Sequence, residues 1–176
     1  MSKRDLKILQ GAIKMEEDGR RFYLKAGKTA KNTFAKKLLA SLADQELVHI
    51  KRIKEISYLL KEEDMDWNDL AKKISKDARK KLTLVFRPLS VSEKKKLRAD
   101  PSNLEAIEIA MKKETKSYDY YDKQSKETDM RIAKVFYDRL KKEEERHYEL
   151  IEEAYSLLSD SVSWFVKHEG RVMEAG

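Results

Sequence analysis

The sequence predicts an all-α protein, a four-helix bundle made of two antiparallel helical hairpins. Three observations support this fold class. Only five Gly and two Pro occur among 176 residues and 40% of the residues are charged, a composition that favours long helices over turns. Four segments carry apolar residues at helical spacing. The same pattern of core-facing residues occurs twice, with an offset of 98 positions between the copies.

The ends of the predicted helices follow from local signals. We expect the first helix over about 2–26, ending near Gly27, and the second over about 32–62. The third is predicted to begin with a capping box, in which Ser102 and Glu105 satisfy each other's free amides, with Pro101 just before it. It continues to about residue 126, and the fourth helix runs from after Asp129 to about 159.

The connections predict how these helices pair. The loops at about 27–31 and 127–129 are short, so each pair should form an antiparallel hairpin. The crossover between the hairpins, about residues 64–101, is long enough to travel the length of a bundle of ~45 Å. We therefore expect a bundle domain over 1–160 and a C-terminal tail over 161–176 that docks on the bundle or on a second subunit.

Ionisable residues occupy equivalent positions in the two copies, on the helix faces that carry the apolar core positions. The first and third helices each place one glutamate there, and the second and fourth each place a Glu-x-x-His motif. The set comprises Glu16, Glu46, His49, Glu114, Glu144 and His147. Within the run KKEEERHYEL, Glu144 shares the core-facing stripe with His147, whereas Glu143 and Glu145 lie off it.

Four carboxylates and two imidazoles inside one bundle predict a metal site. A buried charge is costly unless it is compensated, and no Lys or Arg occupies a stripe position. Antiparallel pairing brings the six side chains to one level, and Glu and His at i, i+3 share a helix face. Four carboxylates balance two divalent ions. Oxygen ligands with one imidazole per metal suit Fe or Mn better than Zn.

Four further residues are candidates for hydrogen bonds to the proposed ligands. Tyr23 and Tyr121 lie two turns from Glu16 and Glu114 and could donate to ligating carboxylates or serve as ordinary core aromatics. Each imidazole needs an acceptor for its second nitrogen, which Gln45, Glu143 or a neighbour on the facing helix could supply. His168 has no counterpart in the other copy and is predicted to lie on the surface or to take part in docking.

The repeated motifs resemble those of the ferritin-like diiron-carboxylate proteins, and most closely the rubrerythrin family. The segments that carry the resemblance are MEEDGRRFY, ADQELVHIKRI, KETKSYDYY and KKEEERHYELI. The resemblance implies a ferritin-like fold in which the six residues bind two irons. It also implies two-electron reduction of hydrogen peroxide or dioxygen, and it favours a homodimer.

The chain departs from the family pattern at two points. Rubrerythrins commonly carry a further glutamate one turn after the third-helix ligand, where this chain has Ser117. They also often carry a C-terminal rubredoxin domain, which a chain without cysteine does not provide. The first departure bears on the rate of peroxide reduction. The second implies that a separate donor protein supplies the electrons.

Two other functions remain open at the level of sequence. One is a ferroxidase or iron-handling protein, in which iron is the substrate. The other is a non-enzymatic, metal-stabilised interaction module, favoured by the net charge of +7 but opposed by the even mixing of Lys with Glu, which makes nucleic-acid binding an unfavoured expectation. The start of the chain has no apolar signal core and no segment suits a membrane helix, so a cytoplasmic protein is expected.

Overall fold

The computed structural model describes residues 3–59 and 100–159, which form four helices. We number them α1 (Lys3–Thr29), α2 (Thr33–Leu59), α3 (Pro101–Glu127) and α4 (Arg131–Ser159). The predicted all-α, ferritin-like four-helix bundle is confirmed. Within the described ranges there is no strand.

The α1–α2 connection lies slightly later than predicted. The helix α1 continues through Gly27 to Thr29, and no described residue, Gly27 included, has a positive φ. The turn is stabilised instead by Asn32, whose Oδ1 accepts hydrogen bonds from the amides of Phe34 (2.8 Å) and Ala35 (3.3 Å) at the start of α2. A polar side chain that caps the next helix therefore replaces the expected glycine stop.

The predicted capping box at the start of α3 is wrong by two residues. The N-cap is Asp100, whose carboxylate accepts the backbone amide of Ser102 at 3.0 Å and also the Ser102 hydroxyl. Pro101 occupies the first turn, where its missing N–H leaves no donor unsatisfied. Since Asp100 already accepts from Ser102, the serine lies inside the helix and not at its cap.

The bundle core consists of two apolar clusters at opposite ends. One surrounds Leu38 and Leu42 of α2 together with Ile151 of α4, and the other surrounds Leu9 of α1 and Phe136 of α4. In each cluster, both hairpins contribute the beginning of one helix and the end of the other. The helix α2 therefore ends at the opposite end of the bundle from the start of α3, which is the arrangement that a full-length crossover requires.

Several predictions fall outside the described residues: the crossover over about 64–101 except its last residues, the tail over 161–176, and His168. The division into 1–160 and 161–176 and the homodimer stay predictions. In the part of the chain that the structure describes, no helix has the length and apolarity needed to cross a membrane.

Candidate metal centre

The middle layer of the bundle, between the two apolar clusters, is polar and buried. All six predicted ligands lie in it, and none has more than 3% of its surface exposed: Glu16, Glu46, His49, Glu114, Glu144 and His147. The helical spacing places them there. In each helix the stripe that supplies apolar residues at both ends supplies carboxylates and imidazoles at the centre, so the burial that forms the core also removes these groups from water.

Five of the six residues form two compact groups that share one carboxylate. Glu16, His49 and Glu144 make up the first group, and Glu114, Glu144 and His147 the second, with the donor atoms of each group within 4.8 Å of one another. The first group combines residues of α1, α2 and α4, whereas the second contains residues of α3 and α4 only. Glu144 is common to both groups.

The two imidazoles present the same nitrogen to the centre of the site. His49 Nδ1 lies 3.2 Å from Glu16 Oε2 and 3.0 Å from Glu144 Oε1. His147 Nδ1 lies 3.3 Å from Glu114 Oε2 and 3.4 Å from Glu144 Oε2. The rings stack with centroids 5.4 Å apart and planes inclined by 15°. The Glu16–His49 and Glu114–His147 pairs therefore repeat the sequence duplication in space.

The sixth residue, Glu46, stands slightly apart. Its Oε2 lies 3.7 Å from His49 Nδ1, farther than the carboxylates of Glu16 and Glu144. Its Oε1 lies against Gly19, where the Cβ of any other residue would be 2.9 Å away. Gly19 is therefore needed for the close approach of α1 to this carboxylate.

The donor atoms fit a metal site. Glu46 Oε2 and both oxygens of Glu144 are buried and have no aligned hydrogen-bond donor among the described residues, although His49 Nδ1 lies 3.0 Å from Glu144 Oε1. Buried carboxylate oxygens without donors are costly, and a cation satisfies them. Oxygen-rich sets with one imidazole each suit iron or manganese. The residues that would hold two ions are the six predicted ones, and their role as ligands stays a prediction.

Two tyrosines connect the hairpins through the proposed ligands. The hydroxyl of Tyr23 in α1 donates to the Glu114 carboxylate in α3, and the hydroxyl of Tyr121 in α3 donates to the Glu16 carboxylate in α1. Both tyrosines are fully buried. Each donor therefore restrains a carboxylate of the opposite hairpin, leaving its second oxygen directed at a histidine.

A buried ion pair between Glu143 and Arg52 contacts His49 at Nε2, the nitrogen that does not face the centre of the site. The sequence indicated Glu143 as a possible acceptor but did not indicate Arg52. His49 Nε2 lies 3.0 Å from Glu143 Oε2, and the same oxygen accepts Arg52 Nη1 at 2.6 Å. Arg139 Nε approaches the other Glu143 oxygen at 3.5 Å. Glu143 lies off the core-facing stripe and is nevertheless buried, as is Gln45 at the equivalent position of α2. Arg52 also lies off the stripe, so the periodicity gave no signal for it.

The pKa of Glu143 is set by burial and by its two partners, His49 and Arg52. Burial alone would raise the pKa of Glu143. The hydrogen bond and charge of His49, together with the charge of Arg52, outweigh it and lower that pKa to about 2. Glu143 is therefore an anion that can accept the Nε2–H of His49. This hydrogen bond leaves Nδ1 as the nitrogen available to a metal.

In the metal-free protein, protons balance part of the charge of the layer. Burial raises the pKa of Glu114 to about 8, and the charge of Glu144 acts in the same direction. Burial and the charge of Glu16 raise the pKa of Glu46 well above its usual value. Burial alone would lower the pKa of His147, but Glu114 and Glu144 raise it to about 10. Metal binding must displace these protons.

A four-helix bundle with duplicated Glu and Glu-x-x-His positions in a buried central layer defines a ferritin-like protein of the metal-carboxylate class. The profile of the rubrerythrin family matches residues 7–155, and the chain belongs to this family. No curated protein and no solved structure matches the chain. Family and site together support a diiron ferritin-like protein.

Proposed function

We propose that this protein reduces hydrogen peroxide or dioxygen with electrons supplied by a separate donor protein. For peroxide, two electrons and two protons convert one molecule into two waters. The proposal is carried by one observation, the pair of carboxylate–imidazole groups that share Glu144 in a buried layer. A carboxylate shared by the two groups would help to hold two metals side by side, where both would act on one small molecule.

The metals supply the two electrons and the Lewis acidity when bound. The protein restrains the side chains of the proposed ligands. Tyr23 and Tyr121 hold the carboxylates of Glu114 and Glu16 by hydrogen bonds across the hairpins. Glu143, itself paired with Arg52, accepts from His49 and sets the orientation of its ring. Because these partners are buried, the geometry of the site is set before any small molecule arrives.

Protons and electrons have different sources in this proposal. Metal binding would displace the protons that Glu46 and Glu114 hold in the metal-free protein, so in this proposal the protons for peroxide reduction come from solvent. The sequence contains no cysteine, so its own residues provide no thiolate-bound iron centre. We therefore assign electron delivery to a donor protein that docks on the outside of the bundle.

The decisive experiment compares oxidants in stopped-flow measurements of the anaerobically purified, Fe²⁺-loaded protein. We expect about two metal ions per chain, and faster oxidation by hydrogen peroxide than by dioxygen. Continued consumption of excess Fe²⁺ would instead identify iron as the substrate. A protein that binds no redox metal, or that binds only zinc, would refute the redox function altogether.

A further inference from the structure

A solvent-accessible cleft between α1 and α3 leads to the metal layer. Its volume is about 280 Å³, and Glu46 forms part of its wall. Its wall includes three small residues, Gly11 and Gly19 on α1 and Ser117 on α3. The cleft is large relative to one water molecule, which takes up about 30 Å³ in the liquid, so it can admit small molecules.

Glu46 links this cleft to the site. Only 3% of the surface of Glu46 is exposed. Its Oε1 lies against Gly19 in the cleft wall, and its Oε2 has no aligned hydrogen-bond donor among the described residues. The same Oε2 lies 3.7 Å from His49 Nδ1. A molecule that enters the cleft therefore contacts Glu46, which borders the other proposed metal ligands.

The charge of the cleft is predominantly positive. Three lysines line it, Lys14 on α1 and Lys113 and Lys116 on α3. The one acidic residue besides Glu46, Asp18, pairs with Arg21. Lys113 is also held in place, since its Nζ lies 5.3 Å from the centre of the Phe22 ring. A concave surface lined by one sign of charge raises the local concentration of ions of the opposite sign.

We propose that the α1–α3 cleft is the entrance to the metal site and that it favours small anions over cations. The ligand class is a monoanion of the size of azide, and neutral molecules of the same size pass by the same route. This inference gives the route by which small molecules would reach the metal site, and it rests on the proposed redox function. The route itself rests on the cleft, its small residues and its lysines.

The test uses azide binding to the oxidised, metal-loaded protein, followed by optical absorption at low ionic strength. The double variant Lys14→Glu/Lys116→Glu should slow azide association about tenfold, and added salt should diminish the effect. The matched control, Lys37→Glu/Lys142→Glu, changes the net charge equally with exposed residues of α2 and α4 outside the cleft and should leave the rate near that of the unmodified protein.

A second variant tests the route independently of charge. Ser117→Leu places a larger apolar side chain in the cleft and should slow azide association at every salt concentration, while metal content stays near two ions per chain. Equal effects of the two double variants would overturn the inference. So would azide binding to Ser117→Leu at the unmodified rate, or an absence of azide binding to the unmodified protein.

The outcomes also separate this inference from the proposed function. If the cleft variants slow azide as expected but the unmodified protein reduces neither peroxide nor dioxygen, the entrance is supported and the redox function fails. If peroxide is reduced but the cleft variants bind azide at the unmodified rate, the redox function stands and the entrance is wrong.

Discussion

The ion pair between Arg52 and Glu143 provides a quantitative test of how the site is supported. Both side chains are buried, with 6% and 8% of their surfaces exposed, and the Arg52 Nη1 to Glu143 Oε2 distance is 2.6 Å. Removing one partner of a buried pair destabilises a protein by about 3–5 kcal/mol. His49 at 3.0 Å and Arg139 at 3.5 Å still contact Glu143, so we expect a value near the lower limit for Arg52→Met, about 3 kcal/mol.

This loss should be measurable by denaturation of the metal-free protein. For a chain of this length, about 3 kcal/mol corresponds to a decrease in Tm of about 6–12 °C. The deficit should shrink as the pH falls from 4.5 towards 2, because Glu143 has a lowered pKa of about 2 and the stability that its charge contributes is lost only in that range. The exposed Arg146 offers a control, and Arg146→Met should change Tm little.

A second substitution makes the test sharper. In the double variant Arg52→Met/Glu143→Gln, the carboxylate that Arg52 compensates is removed as well, so part of the lost stability should return. The reasoning is refuted if Arg52→Met unfolds within 1 kcal/mol of the unmodified protein, or if the double variant is no more stable than the single one.

Three further predictions concern the site itself. Glu144→Gln should remove at least one metal ion per chain, because Glu144 belongs to both ligand groups, whereas Glu145→Gln should retain both ions; equal metal contents would contradict the shared carboxylate. Tyr23→Phe should destabilise the protein by about 1–3 kcal/mol, since a Glu114 oxygen loses its buried donor, and denaturation that shows no loss would count against the bond. The Tm of the metal-free protein should fall as pH rises from 5 to 9. In the folded protein the pKa values of Glu114 and His147 are raised to about 8 and about 10. The stability that these two groups confer is therefore complete only below their pKa values in the unfolded chain, and it is lost as pH rises through their pKa values in the folded protein. A Tm that rises from pH 5 to 9 would refute the assignment.

The periodicity of the sequence was sufficient to predict which face of each helix is buried. Glu144 and Glu145 are neighbours in a charged run, yet the first is fully buried and the second exposed, as the helical stripe predicted. The duplication supported this interpretation, because the same Glu and Glu-x-x-His positions recur at one offset. Single helices follow a fixed period, so facing direction is a local property that sequence can determine.

The partners that surround the site were less accessible to sequence. Arg52 and Glu143 both lie beside the stripe, and the two become buried only because α2 and α4 lie next to each other. The start of α3 shows a similar limit at short range. Ser102 and Glu105 match a capping box, but Asp100 provides a better placed acceptor two residues earlier.

By itself, the sequence determined the four helices, their pairing and the six ionisable residues of the central layer, since all of these follow from helical period and repeat. Tertiary structure decided how these residues combine. Only the packing of the two hairpins shows that Glu144 serves both groups, that each tyrosine donates to a carboxylate of the other hairpin, and that Gly19 and Ser117 line a cleft beside Glu46. The physical reason is that these contacts join helices far apart in the chain, and their distances depend on how closely the helices approach.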